Sequence, residues 1–228
     1  MLTLYTAIGQ LTTRHNLTKD LTPLVLMNQE EYALSPHELV LWSCLAFQIL
    51  TKSELRERYE AGLRTQHLAS DPDFEHYLRR LLLRGILVSG TGYTGADALY
   101  RLLGTLYMVP VKNTAAMRLY ECFHRIASGK LIRSAIKDSF QTPDLKRLDA
   151  LILKLAKTFH FSVAELLGYM ELQAKPENTD EVFKQIYADA DDTCDTLADK
   201  MQIDHTQFPI LQSVGNLYLH RQILLTRY

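Results

Sequence analysis

Apolar residues recur at helical spacing over much of this chain. From Leu39 they fall at Trp42, Leu45, Ala46 and Ile49, the stripe of a helix that faces a core. Ser35-Pro36 stands just before this run, with Glu38 three residues after the serine. Serine as N-cap, proline at the first helical position and glutamate at N3 predict a start closed by a capping box. Thr51 or Ser53 is expected to cap the next helix, Glu54 completing a second capping box with Thr51, ahead of Leu55, Tyr59 and Leu63, an inner stripe at four-residue spacing. Gly62, Ser70 and Asp71-Pro72 then break the chain. A third helix is predicted over 72–84, turning Phe74, Leu78, Leu81 and Leu82 inward and His76, Arg79, Arg80 and Leu83 outward.

Outside these helices the pattern is of two kinds. Residues 1–23 are Thr- and Leu-rich and weakly patterned, and Leu24 to Leu34 reads as a strand or hairpin. Ile86-Leu87-Val88 is a predicted strand, and the glycines at 90, 92 and 95 permit a tight turn after it. Ala96 to Val109 is more helix-like, with Leu99, Leu102, Leu103 and Leu106 on one face. Pro110 marks a boundary, dividing the chain into 1–110 and 111–228. Beyond it six helices are expected, over 114–128, 130–140, 143–160, 162–174, 179–201 and 208–226. No repeat of solenoid period is present.

Composition narrows the classes without naming one. The 228 residues, 47% hydrophobic and 22% charged, suit an ordinary globular protein with a sizeable core. A net charge of −1 excludes a uniformly basic nucleic-acid coat, so any contact with DNA must come from local patches. Cys44, Cys122 and Cys194 are widely spaced, which fits neither a zinc ribbon nor a disulfide framework and suits a reducing, cytoplasmic setting. No signal peptide is expected, and the apolar run Leu39 to Leu50 is too short to span a bilayer.

Charge is distributed in blocks. Basic residues dominate from Arg125 to Lys157, through Lys130, Arg133, Lys137, Lys146, Arg147 and Lys154. Acids dominate from Glu177 to Asp204, with Asp191, Asp195 and Asp199 on one helical face. That face lacks the turn glycine and loop ligands of a calcium site, and a solvated surface or a contact with the basic stripe is expected of it. The eight histidines form no H-E-x-x-H, and there is no G-x-S-x-G or P-loop. The glycines after Val88 follow a predicted strand but are read as lacking the spacing of a dinucleotide fingerprint. No catalytic residue, metal or cofactor is expected.

Two short helices, then Leu78-Arg79-Arg80-Leu81-Leu82-Leu83-Arg84-Gly85-Ile86-Leu87-Val88 and the tip Ser89-Gly90-Thr91-Gly92-Tyr93-Thr94-Gly95, resemble a winged helix-turn-helix. This is a DNA-binding module of many bacterial regulators, and the resemblance covers roughly residues 24 to 110. It implies a mainly α protein, a winged helix-turn-helix domain followed by an all-helical domain. The third helix would lie in the major groove, with Arg79 and Arg80 on guanine edges or phosphates and His76 beside them. Lys52 and Ser53 would meet phosphates at the start of the second helix, and Tyr93 and Thr94 on a wing over 86–98 would reach the neighbouring groove. Asp71, Asp73 and Glu75 stand against this, because they place carboxylates where the third helix would approach the duplex.

Leu153 to Leu167, with Ala156, His160 and Ser162, resembles in addition the helix-turn-helix of phage repressors, a pattern that any capped helical hairpin also produces. The function implied is a cytoplasmic, sequence-specific transcriptional regulator binding double-stranded DNA as a homodimer. Its helical domain would dimerise or sense an unknown small-molecule effector, with no membrane involved. The alternative is a protein-interaction module that keeps the winged fold without binding DNA.

Overall fold

The structure, a computed structural model, describes residues 1–15, 21–68, 73–111, 147–172, 183–184, 186–187, 193–200 and 207–227. The helices expected over 114–128 and 130–140 lie outside these residues, as do Cys122 and most of the basic and acidic blocks. The chain opens with strands β1 (Leu2–Ala7), β2 (Gln10–His15), β3 (Leu21–Met27) and β4 (Glu30–Ala33). Asn28 and Gln29, both at positive φ (52° and 67°), link β3 to β4 as a two-residue hairpin whose twist matches its strands. β2, β3 and β4 form one antiparallel sheet in that order.

Helices α1 (Pro36–Leu45), α2 (Lys52–Thr65) and α3 (Phe74–Leu83) follow, with a short β5 (Leu50–Thr51) between α1 and α2. Both predicted capping boxes form: Ser35 with Glu38 at α1, and Thr51 with Glu54 at α2. The inner stripe of α2 is buried as its spacing predicts, at Leu55, Tyr59 and Leu63, and α3 buries Phe74, Leu78 and Leu81. α1 buries Leu41, Trp42 and Leu45. It crosses α2 closely, since a β-carbon on Gly62 would stand 2.7 Å from Val40 Cγ1.

After α3 come β6 (Leu87–Gly92), α4 (Gly95–Leu103) and β7 (Tyr107–Pro110). β6 has no hairpin partner within 86–98, because the chain turns into α4 at Gly95. Its antiparallel partner is β1, paired along its whole length from Leu2↔Gly92 to Ala7↔Leu87, and β5 joins the far edge of β1 at Leu4↔Thr51 and Tyr5↔Leu50. The weakly patterned N-terminus thus supplies the central strand of the sheet beside the helices.

The remainder comprises α5 (Arg147–Thr158), α6 (Val163–Leu172), α7 (Cys194–Lys200), α8 (Phe208–Leu219) and β8 (Ile223–Thr226). The expected last helix stops at Leu219, and the apolar residues beyond it form β8, antiparallel to β7. Val163 and Ala164, whose amides have no partner inside α6, donate to the carbonyls of Leu106 and Gly104 at 2.9 Å each. The end of α4 and the start of α6 therefore satisfy one another's orphan groups.

One cluster of buried apolar side chains runs from Ala7, Leu41 and Leu81 through Leu103 to Phe161, Val214 and Leu225. The expectation of a mainly α protein with an all-helical second part is thereby corrected. The fold is mixed α/β, with eight helices and eight strands in three sheets among the described residues. The physical reason is non-local pairing: β1, β7 and β8 have partners far away in sequence, where no local pattern can reveal them.

Candidate functional site

The residues proposed to meet DNA lie on three elements. The capping box of α2 brings Glu54 back to the first turn, where its carboxylate accepts from the Thr51 amide at 2.8 Å and the Thr51 hydroxyl at 2.7 Å. The Thr51 amide and hydroxyl hold the Glu54 carboxyl below its ordinary range. Ser53 Oγ stands 3.2 Å from Thr51 Oγ1 inside the same network. Lys52 pairs with Glu75 at 2.7 Å, and Arg56 reaches the other oxygen of that carboxylate at 2.6 Å. Lys52, then Arg56, hold the Glu75 carboxyl below the usual value. An approaching phosphate would therefore meet a helix start already filled by one carboxylate and two cations shared with another. Met1, Leu2, Thr3 and Tyr5 complete a cleft at this place.

On α3 the outward side carries Glu75, His76, Arg79, Arg80 and Leu83, all exposed. Arg80 Nε lies 3.1 Å and Arg84 Nη1 3.3 Å from one oxygen of Glu38, a side chain with no exposed surface. The other Glu38 oxygen accepts from the Ser35 amide at 2.8 Å. One buried carboxylate thus caps α1 and draws two arginines of the α3 terminus inward, an arrangement in which each charge needs the other. Arg84 also donates to the Ala33 carbonyl at 2.7 Å and lies over the Tyr32 ring. Arg79 alone of the α3 arginines pairs with no described carboxylate. His76 sits edge-on to Tyr77. Leu83 is 79% exposed, a large apolar side chain amid charge.

Tyr93 and Thr94 are not at a hairpin tip. Thr94 caps α4, accepting from the Asp97 amide at 3.1 Å, and the Tyr93 amide donates to Asp97 Oδ2 at 3.0 Å while its ring is 83% exposed. The glycines before them do a different job from the one expected. A β-carbon on Gly90 would lie 2.2 Å from the Leu102 nitrogen, and one on Gly92 2.3 Å from that of Ala98. These residues lack side chains because α4 rests backbone-to-backbone on β6.

The expectation that these glycines lack the dinucleotide spacing is wrong, since Gly90, Gly92 and Gly95 hold G-x-G-x-x-G between a strand and a helix. The surroundings are nonetheless unlike a dinucleotide crevice, which needs a parallel βαβ unit and a helix start open to pyrophosphate. β6 is antiparallel to β1, β7 lies in another sheet, and the Asp97 carboxylate closes the start of α4.

The second half of the repressor-like stretch is core, whereas Lys157 and His160 in its first half are not buried. Ser162 caps α6 with Glu165 in a reciprocal pair (2.6 and 3.1 Å), and residues 161–168 are all buried. Glu165 also accepts from the Tyr187 hydroxyl, which burial and that carboxylate shift to higher pKa. A helix so enclosed has no face for a duplex. Among the described residues no three His, Cys, Asp or Glu side chains converge as a metal site would, and no helix is long and apolar enough to cross a membrane.

Glu38, the partner of Arg80 and Arg84, is not among the functional residues its sequence context suggests. Its capping-box position was legible, but nothing local connects it to residues more than forty positions away. No protein family, curated protein or solved structure matches this chain.

Proposed function

We propose that this protein is an interaction module whose α1–α3 unit keeps a winged-helix-like order but engages another protein and not DNA. One observation carries the reading: of the three cations that would meet DNA, Lys52 is paired with Glu75, which Arg56 shares, and Arg80 with Glu38, which Arg84 shares, leaving Arg79. Phosphate contacts supply a large share of the affinity of a DNA reader, and here those of Lys52 and Arg80 would have to displace an internal acid. The absence of a β-hairpin in 86–98 fits the same reading. The outward side of α3 offers what a protein interface uses instead. Exposed Leu83 is an apolar anchor and Arg79 a cation with room to pair. The partner would present an apolar socket with acidic groups at its rim. The free thiols of Cys44 and Cys194 suit a cytoplasmic setting.

A second reading, a sequence-specific regulator acting as a homodimer, draws support from the exposure of His76 and Arg79 on one helix face. Anisotropy of labelled duplexes at low salt separates the two. The interaction reading expects no binding, together with a protein cross-link from a photoreactive group at position 83 that Arg79→Ala weakens. Duplex binding that declines steeply with added salt would overturn it in favour of the regulator.

A further inference from the structure

Two helix ends meet at a joint between the beginning and the end of the chain, and both are built in an unusual way. After α1, Phe47 takes a left-handed φ of +56° while the Gln48 amide donates to the Leu45 carbonyl at 3.0 Å. After α8, Arg221 takes φ +57°, and the amides of Arg221 and Gln222 close back on the carbonyls of Tyr218 and Leu217 at 2.9 and 2.8 Å. Such positions ordinarily hold glycine, since a side chain is strained there. Here both carry large side chains, and these touch: the Arg221 guanidinium lies over the Phe47 ring at 5.5 Å, and the Tyr218 ring packs on it at 5.4 Å.

The Tyr218 hydroxyl, buried beneath, accepts from the Phe47 amide at 3.0 Å and donates to the Ala7 carbonyl at 2.8 Å. Thr6 Oγ1 lies 2.9 Å from it and donates to the Gln48 carbonyl at 2.7 Å. The α1 turn is therefore held in its strained form by groups from α8 and β1. Two residues after Gln48 comes β5, and directly after that the capped start of α2 with Lys52.

We propose that Phe47, Tyr218 and Arg221 form a conformational latch, by which docking of α8 sets the positions of β5 and the first turn of α2. While α8 is docked, Phe47 stays left-handed and Leu50 stays in register with Tyr5. When α8 lifts away, the turn has no reason to keep its strained φ, and β5, paired through only two residues, loses its support. The C-terminal half thereby controls the edge of the N-terminal unit at which Lys52 and Glu75 stand.

Amide hydrogen exchange on the full chain tests this. Tyr218→Phe should speed exchange at Phe47, Gln48 and Leu50 by about threefold to tenfold, the factor a lost buried hydrogen bond carries. Leu78 and Leu81 in α3 should change less. Equal acceleration in both places would reduce Tyr218 to a general stabiliser and overturn the latch, as would no acceleration at all. Arg221→Gly guards against a variant that folds poorly, because glycine accepts φ +57° without strain. It should leave α8 intact yet still quicken Gln48 and Leu50; wild-type rates there would refute the coupling.

Discussion

Replacing Gly90 with alanine would put a methyl group 2.2 Å from the Leu102 nitrogen, 2.5 Å from the Ala98 carbonyl oxygen and 2.6 Å from the Leu102 Cα. All three are backbone atoms, so no rotamer change relieves the clash. α4 must retreat until the contact opens toward 3.4 Å, where ordinary packing begins. A gap of about 0.5–1 Å already forfeits a quarter to a half of the dispersion attraction along a packed face. The face concerned contains Ala98, Leu102 and Leu103, all essentially buried. Full burial of a leucine stabilises by about 1.5–3 kcal/mol, so losing about half of that at two leucines costs about 1.5–3 kcal/mol. Backbone strain raises the expected loss to about 3 kcal/mol, the upper part of the range for overpacked cores. For a chain of this length that lowers Tm by about 6–12 °C.

Gly95 in the same tract supplies the control. Nothing lies within 4 Å of its would-be β-carbon, and it occupies the first position of α4. Gly95→Ala should therefore stabilise by about 0.4–1 kcal/mol through the unfolded chain. Thermal and urea unfolding followed by circular dichroism would measure both variants. If Gly90→Ala stays within about 1 kcal/mol of the parent, or Gly95→Ala costs as much as Gly90→Ala, the packing of α4 on β6 described above is wrong.

Three further outcomes are expected. Glu38→Gln leaves Arg80 and Arg84 without their anion; because Arg80 is half exposed and can rehydrate, the cost should be about 2–3 kcal/mol, below the range for a wholly buried pair, as read from urea midpoints. Thr51→Ala removes the α2 cap and should cost about 1 kcal/mol, with helix content falling at the α2 start in amide chemical shifts. Glu75 has a folded-state pKa lowered by Lys52 and Arg56, so its contribution is complete above the ordinary value near 4.5 and disappears as pH falls through the lower, folded value. The stability difference between parent and Glu75→Gln should accordingly be flat near neutrality and shrink toward zero in acid, and a difference that grew in acid would contradict the ion pair.

What could be read from the sequence was whatever is settled within about one helical turn. The boxes Ser35–Glu38 and Thr51–Glu54, the proline opening α1 and the stripe Leu55, Tyr59, Leu63 each depend on residues three or four apart, and each formed. The outward side of α3 was legible for the same reason, since helical period alone sorts His76, Arg79, Arg80 and Leu83 from Phe74, Leu78 and Leu81. Tertiary structure decided everything that depends on distant partners. Leu2–Ala7 has little pattern of its own and became a central strand because β5 and β6 flank it. Ile223–Thr226 looked like the end of a helix and became a strand because β7 offered an edge. Gly90 and Gly92 looked like a turn, and only the approach of α4 explains their missing side chains. Arg80 and Lys52 looked like free cations until Glu38 and Glu75 arrived from other helices. Local hydrogen bonds and periodicity are written in neighbouring residues, whereas strand pairing, close approach and charge neutralisation arise only when remote segments meet.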